Sequence, residues 1–258
     1  MARAAKKRPR VSVKEMKFRN DPMIRLYDKT QDWLQERGRP LVIGIAILAG
    51  LFLVYMAGDY FFEYRASKAA AAFADAYEKY SAQVITTQTT TQTGKYYTDE
   101  KQKWQESAEA FERLAKDYPG YYGGIGRYYA GVSYLHFDES KGTQVLQDAI
   151  ANGNGEIKDE AGLALAEYYA ASGNMEKATP AYEALLNSSF IPHQVIQFGL
   201  GKLYENAGET EKAVQAYFEA AKLDRESGQT SDAEKRLSAL APDRVKDLPP
   251  SAPSLPTP

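Results

Sequence analysis

Apolar residues along this chain form two patterns: one uninterrupted stretch, and a long region in which they recur at helical spacing. The stretch covers residues 40–58 (PLVIGIAILAGLFLVYMAG) and contains no charged side chain. At about 1.5 Å of rise per residue, a helix of this length extends roughly 28 Å, close to the ~30 Å hydrocarbon core of a bilayer. The pattern therefore predicts a transmembrane helix at 40–58, preceded by an arm at 1–39.

The residues after the span continue the helical pattern. Residues 59–85 are rich in helix formers and contain neither proline nor glycine, which predicts that the membrane helix runs on beyond the bilayer. The polar, β-branched tract 86–94 (TTQTTTQTG) has no apolar periodicity and predicts a loop. Residues 59–103 are therefore expected to be a continuing helix and a polar loop.

A motif with a period of 35 residues follows. The sequence AGVSY (130–134) returns as LAEYY (165–169) and again as LGKLY (200–204). In the last two periods a glycine, Gly173 or Gly208, ends this first helix and a second helix of small and aromatic residues follows. Such a period predicts stacked antiparallel helix pairs, because one pair alone cannot bury its apolar face. The residues predicted to pack these helices together are Tyr134, Tyr169, Ala178, Tyr182, Gly201, Tyr204, Ala213 and Tyr217.

Residues 104–225 resemble the tetratricopeptide repeat, which pairs a Leu-Gly-x-x-Tyr first helix with an Ala-x-x-x-Phe-x-x-Ala second helix. The unit near 130–155 departs from this pattern, with Thr143, Gln147 and Ile150 at the second-helix positions, so shifted packing is expected there. The resemblance implies an all-α fold, in which an N-terminal transmembrane helix is followed by a tetratricopeptide-like helical-repeat solenoid at 104–241.

The C-terminal end is expected to differ from the repeats. Residues 229–240 predict a terminal helix with Ser231 or Asp232 as its N-cap, and with Leu237 and Leu240 packed on the last pair. The Pro-rich tail at 242–258 is expected to be disordered, because its prolines prevent a helix.

Charge is distributed unevenly on the two sides of the predicted span. Residues 1–39 carry twelve Lys and Arg and five acidic residues, a net charge of +7, whereas the whole chain has a net charge of −2. Basic flanks stay on the cytoplasmic side, so the arm is expected in the cytoplasm and the long C-terminal part outside. Arg37 and Arg39 adjoin one end of the span, and aromatic residues gather near the other end, as in an interfacial belt: Tyr55, Tyr60, Phe61 and Phe62.

Three other interpretations fit this N-terminal region less well. A cleaved signal peptide has a short basic region and an apolar core of about 7–15 residues, both shorter than the ones present here. A buried helix of a soluble protein is disfavoured because the rest of the chain has its own core pattern. Nucleic-acid binding by the basic arm is not required, since topology and contact with anionic lipid account for its charge.

Few residues with catalytic or metal-binding chemistry are present. The chain has no cysteine and only two histidines, His136 and His193, neither of which has a second ligand at metal-binding spacing. The glycine-rich segment 120–126 (GYYGGIG) follows no predicted strand and lacks the spacing of a phosphate-binding loop, so it predicts a helix-entry turn. The sequence therefore predicts a non-enzymatic protein with no cofactor, no metal and no small-molecule substrate.

Protein binding is the remaining function class. In stacked helix pairs the first helices line a concave face, and the repeat register assigns to this groove Tyr128, Val132, Leu135, Leu163, Glu167, Val195, Phe198, Lys202 and Glu205. Repeat domains that clamp an acidic C-terminus carry Lys, Asn and Arg at such positions, whereas this chain has mostly apolar residues there. An apolar groove with tyrosines suits an unfolded segment or a partner helix. The alternative is that these tyrosines only pack within the repeats.

The order of these elements is similar to one bacterial family, the ancillary subunit of the Sec translocon. The closest local likeness runs from Trp33 to Tyr80, through GRPLVIGIAILAG and RASKAAAAFADAY, and the repeats follow in the same order. The basic arm is longer and the Pro-rich tail is extra. The resemblance implies a single-pass protein of the bacterial inner membrane with a cytoplasmic N-terminus and a periplasmic C-terminal domain.

The same resemblance implies a role in protein secretion beside the channel. The outer domain would hold emerging polypeptides or pass them to periplasmic chaperones, so the expected partners are translocon subunits, chaperones and unfolded clients. A dedicated assembly scaffold for another envelope complex, such as one for cytochrome maturation or cell division, is the alternative. Client diversity separates the two, and a hydrolase or transferase would need a catalytic constellation that the sequence lacks.

Overall fold

A computed structural model describes residues 22–85, 95–227 and 231–252, and the protein divides into two compact units at Arg65–Ala66. The predicted loop at 86–94, most of the basic arm and the last six residues of the tail lie outside the described residues. Helices dominate the described part of the chain.

Helix α1 spans Pro22–Ser81 and contains both the predicted span and the predicted continuation. From Gly38 to Ser81 it is long and apolar enough to cross a membrane, since its most apolar 18-residue window has a mean hydropathy of 2.5 and none of that window is buried. The helix ends at Ser81, four residues before the predicted end. A short parallel pair of strands follows, β1 (Gln83–Val84) and β2 (Tyr96–Tyr97), which the sequence patterns did not indicate.

Eight further α-helices and one 3-10 helix complete the described part of the chain. Their bounds are α2 Glu100–Asp117, α3 Pro119–Leu135, α4 Glu139–Asn152, α5 Gly155–Ala171, α6 Met175–Leu185, α7 His193–Asn206, α8 Thr210–Glu226, α9 Asp232–Leu240 and the 3-10 helix Pro242–Asp247. Five of them begin at a side chain that accepts a backbone N–H of the first turn: Asp99, Asp138, Asn154, Asn174 and Ser231. These caps satisfy donors that a helix start leaves without partners.

Two glycines end first helices in the predicted way. Gly173 and Gly208 have φ of 71° and 75°, values that L-residues with a side chain rarely adopt. At each turn the next N–H, of Asn174 or Glu209, returns to a carbonyl five residues earlier, 2.8 and 2.9 Å away. This is the Schellman arrangement, and it lets α6 and α8 reverse direction directly after α5 and α7.

Each helix from α2 to α9 contacts the next one along the chain, and contacts also join α3 to α5 and α5 to α7. The core therefore forms between neighbouring helices rather than around one central element. Among the predicted packing residues, Tyr134, Tyr169, Ala178, Tyr182, Ala213 and Tyr217 are buried, Gly201 is buried against the Tyr217 ring, and Tyr204 is partly buried.

The part of α1 that belongs to the second unit packs mainly through aromatic rings. Phe73 stacks on Tyr122 with centroids 5.0 Å apart, and Tyr80 meets Tyr129 and Trp104 edge to face at 5.0 and 5.6 Å. Ala76 is fully buried in the same cluster. This aromatic layer connects α1 with α2 and α3, and it accounts for several tyrosines outside the repeat motif.

Tyr122, within the glycine-rich segment 120–126, has non-helical torsion angles, φ −131° and ψ 15°. The segment therefore forms a kinked first turn of α3. The predicted turn is therefore present, but it lies within the first residues of α3 rather than before the helix begins.

The prediction of a disordered tail from Pro242 is wrong for residues 242–252. Leu248 is buried in the core that α8 and α9 share, and Arg225 donates to the Pro249 carbonyl at 2.9 Å while Ala252 N–H donates to the Arg225 carbonyl at 2.9 Å. Arg225 is itself paired with Glu234 at 2.6 Å. One apolar side chain and one arginine thus hold a segment whose proline content indicated no packing.

Candidate functional site

A cleft of about 450 Å³ opens between α5 and α7, with α6 beneath it. It brings together four of the nine predicted groove residues: Glu167 from α5 and Val195, Phe198 and Lys202 from α7. The remaining lining residues are Ala170, Ala171, Tyr182, Gly199, Leu203 and Asn206. The first helices of two successive pairs therefore form its walls.

The base of the cleft is an aromatic ring held against a glycine. Tyr182 of α6 is 3 % exposed, and burial, with a smaller contribution from Glu167, raises its pKa to about 12. A Cβ at Gly199 would lie 2.5 Å from Tyr182 Cε1, closer than two carbon atoms can approach. The absence of a side chain at Gly199 therefore allows α7 to pass over the ring.

The α7 wall offers two apolar side chains. Val195 is 41 % exposed at the first turn of the helix. Phe198 is half-buried, and its ring lies 5.7 Å from the ring of Tyr217 on α8, which fixes its position. Exposed apolar surface on a wall supported from behind can pack against a ligand without a large loss of side-chain freedom.

Polar groups stand at the rim. Glu167 is exposed, yet surrounding side chains desolvate its carboxyl group and raise its pKa, an effect that Lys202 opposes and Glu160 reinforces. Lys202 Nζ lies 5.9 Å from the Phe198 ring centroid. An apolar floor with one carboxylate, one ammonium and one amide at the rim suits an amphipathic segment of polypeptide.

The other five predicted groove residues are not part of this cleft. Tyr128, Val132, Leu135 and Leu163 are partly buried and pack against the core cluster around Leu146 and Leu165, and burial raises the pKa of Tyr128. The predicted continuous groove is therefore shorter, because these four side chains pack against the core instead of lining the cleft.

Glu205 also has a different role from the predicted one. Its carboxylate accepts a hydrogen bond from Tyr217 Oη at 2.5 Å and lies 3.3 Å from Arg236 Nη1. It therefore joins α7 to α8 and α9. The repeat register could not show this, because Arg236 belongs to the helix after the last repeat.

A second cleft, of about 430 Å³, was missed by sequence reasoning. It lies among α2, α3 and α4, and charged side chains line it, among them Glu112, Arg127, Lys141 and Asp148. Tyr134 Oη donates to Glu112 Oε2 at 2.6 Å, Lys141 Nζ lies 3.1 Å from the same oxygen, and Arg127 pairs with Asp148 at 3.0 Å. The hydrogen bond from Tyr134 holds the pKa of Glu112 below its usual range. Four of the charged side chains that line this cleft are thus already paired with one another.

Neither histidine lines either cleft. His136 stacks on Trp104 with centroids 3.6 Å apart and planes 3° apart, and burial lowers its pKa. His193 is exposed at the start of α7. Among the described residues, no three His, Asp or Glu side chains lie together as metal ligands would.

Comparisons with protein-family models, with curated proteins and with solved structures found no match.

Proposed function

We propose that this chain is a non-enzymatic, membrane-anchored scaffold whose outer domain docks an apolar protein segment in the α5–α7 cleft. The observation that carries the proposal is the cleft itself: two exposed or half-exposed apolar side chains, Val195 and Phe198, over a rigid Tyr182 floor with a polar rim. Concave, mostly apolar surfaces with a few polar groups are the usual form of a binding site.

Tetratricopeptide-like pairing supports this interpretation of the helices. The 35-residue period, the two Schellman turns and the contacts of α5 with both α3 and α7 are what a stack of such pairs requires. In such a stack the first helices line the concave face, and Glu167, Phe198 and Lys202 belong to two such helices.

The membrane anchor rests on α1 and on charge. The apolar window has the length and hydropathy of a span, and the +7 charge of residues 1–39 favours a cytoplasmic N-terminus. The cleft would then lie outside the cytoplasm, in the periplasm of a bacterium if the membrane is an inner membrane.

The partner is proposed from the resemblance to the ancillary translocon subunit. A cleft that accepts apolar segments outside the membrane fits polypeptides emerging from a secretion channel, or the chaperones that receive them. A dedicated scaffold for another envelope complex would use the same surface on one fixed partner.

The test compares two valine substitutions in the full-length protein. Val195→Glu places a charge in the cleft, and Val84→Glu makes the same change at a site of similar exposure on β1, 38 % against 41 %. Losing one anchoring side chain and desolvating a charge costs about 2 kcal/mol or more, roughly thirtyfold in affinity. Each variant is purified in mild detergent and the co-purifying proteins are measured by quantitative mass spectrometry.

We expect channel subunits, chaperones and many unrelated exported chains to co-purify with the wild type and with Val84→Glu. Their recovery should fall strongly with Val195→Glu. One stoichiometric partner from another envelope pathway would favour the dedicated scaffold. Equal recovery with both variants would exclude the cleft as the docking site.

A further inference from the structure

The part of α1 that precedes the predicted span is a separate amphipathic segment. Between Pro22 and Arg37 the sequence has apolar residues at positions 23, 24, 26, 27, 33 and 34. Leu26 and Tyr27 are each 62 % exposed, and Trp33 is 48 % exposed. At helical spacing these positions fall within one half of the helix circumference, an arc of about 180°, as in a helix with one face in an apolar phase.

The other side of this segment is polar. Positions 25, 28, 29, 32, 35 and 36 are Arg, Asp, Lys, Asp, Gln and Glu, and helical spacing places them together. The segment therefore does not resemble the span, which has apolar residues on every side. A separated apolar stripe and polar face are typical of a helix that lies in a membrane interface rather than across the membrane.

The connection between the segment and the span contains a helix-weakening pair. Pro40 lies inside α1, has no N–H to donate to the carbonyl of residue 36, and crowds the preceding turn. Gly38 lies two residues earlier and has no contact that a side chain would disturb. The helix is thus most easily bent between the amphipathic stripe and the first residue of the span.

The nearest apolar phase to the stripe is the bilayer that the span enters. Residues 1–21, just upstream, contain eight Lys and Arg and two acidic residues, so the chain beside the stripe is strongly basic. Basic segments next to a span are attracted to anionic head groups on the cytoplasmic leaflet. Tyr and Trp prefer the head-group level, where one end of the ring is apolar and the other wet.

We propose that residues 22–37 form an interfacial helix, bent from the span at Gly38–Pro40, which lies on the cytoplasmic leaflet with Leu26, Tyr27 and Trp33 in the anionic lipid surface. This inference rests on the proposed membrane anchor and is independent of the cleft. It would hold the basic arm along the membrane and fix the rotation of the span.

The chain provides its own reporter, because Trp33 and Trp104 are its only tryptophans. Full-length protein with Trp104→Phe is reconstituted into vesicles of phosphatidylcholine, with and without phosphatidylglycerol, and insertion is verified by resistance to alkaline extraction. Trp33 emission is then measured with lipids brominated on the acyl chains and with acrylamide. The matched control is Trp33→Phe, which leaves Trp104 in the second unit.

We expect Trp33 to emit at short wavelength, to be quenched strongly by brominated lipid and to be quenched weakly by acrylamide. The difference between the two kinds of quenching should be larger when phosphatidylglycerol is present. Trp104 in the control should not be quenched by brominated lipid. Leu26→Glu should raise acrylamide quenching of Trp33 about twofold or more, whereas Lys29→Gln, which changes the net charge by the same amount on the polar face, should change it little.

Three results would overturn the inference. Inserted protein in which acrylamide reaches Trp33 and brominated lipid does not would place the stripe in water. Emission at short wavelength without quenching by brominated lipid would place it against protein, such as a second copy. Protein that is fully extracted by alkali would remove the proposed anchor together with the interfacial helix.

Discussion

Tyr217→Phe tests how successive helices are held behind the cleft. Tyr217 is fully buried, its ring supports Phe198, and its hydroxyl donates to Glu205 at 2.5 Å. The substitution keeps the ring and removes only this hydrogen bond, so packing against Phe198 is preserved. Its effect therefore reports on the link from α7 to α8.

The expected magnitude follows from the contacts of the carboxylate. A hydrogen bond to a charged group contributes about 1.5–3 kcal/mol, and leaving the acceptor buried without it adds to the loss. Glu205 keeps Arg236 at 3.3 Å and some access to solvent, which reduces the loss. We expect a decrease of about 1–2 kcal/mol in the free energy of unfolding, and roughly 2–8 °C in Tm for a unit of this size.

The assay is unfolding of the full-length protein in detergent, followed by circular dichroism. Tyr182→Phe is the matched control, because Tyr182 is buried to a similar degree and its hydroxyl has no hydrogen bond among the described residues. A double-mutant cycle with Glu205→Gln isolates the pair, and about 1 kcal/mol of coupling is expected.

Two results would show that this hydrogen bond does not stabilise the protein as expected. An unfolding free energy for Tyr217→Phe within about 0.3 kcal/mol of the wild type would show that the hydrogen bond contributes nothing net. An equal loss in Tyr182→Phe would show that the hydroxyls matter for a reason other than their partners.

Two further predictions concern alkaline pH and one turn. Burial raises the pKa of Tyr128, Tyr182 and Tyr217, so the unfolded chain ionises these groups above about pH 10 while the folded protein keeps them neutral. These groups should therefore leave the free energy of unfolding unchanged below pH 10 and lower it above pH 10, by up to about 1.4 kcal/mol per pH unit for each group. A chemical-denaturation midpoint that stays level up to about pH 11 would contradict this. Gly208→Ala should lower the free energy of unfolding by about 1–2 kcal/mol, because φ is 75° and a new Cβ would meet no other atom. Gly120→Ala, where a Cβ also meets no other atom but φ is not positive, should not lower it. Equal effects of the two substitutions in chemical denaturation would exclude the backbone conformation as the cause.

Local sequence patterns were sufficient to predict most of the helices. The glycine turns were predictable because Gly173 and Gly208 recur at the same period, and only a residue without a side chain adopts positive φ at low cost. The apolar window in α1 was predictable because its length and lack of charge need no tertiary information. The short strands were not, since two residues of pairing leave no periodicity.

The site was less predictable than the helices. Repeat register placed Glu167, Phe198 and Lys202 on neighbouring helices, and they do meet in one cleft. The same register placed Glu205 there too, although an arginine from α9 engages it. A repeat pattern describes a position within one unit and cannot describe what the next element adds at the end of the stack.

The tail and the charged cleft show two other limits of prediction from the sequence. Proline content suggested disorder from residue 242, but one buried side chain, Leu248, and the hydrogen bonds to Arg225 order the segment as far as residue 252. Tyr134 and Lys141 lie 22 and 29 residues along the chain from their shared partner, Glu112. No local sequence pattern indicates that these residues meet.

Docking in the α5–α7 cleft is tested most directly by photocrosslinking in living cells from position 195, with position 84 as the control. A photoreactive residue at 195 lies at the open wall of the cleft, and at 84 it lies on an equally exposed strand. We predict that position 195 crosslinks to unrelated exported polypeptides or to periplasmic chaperones, and that position 84 does not. Crosslinks of equal yield and identity from both positions, or none from position 195, would contradict it.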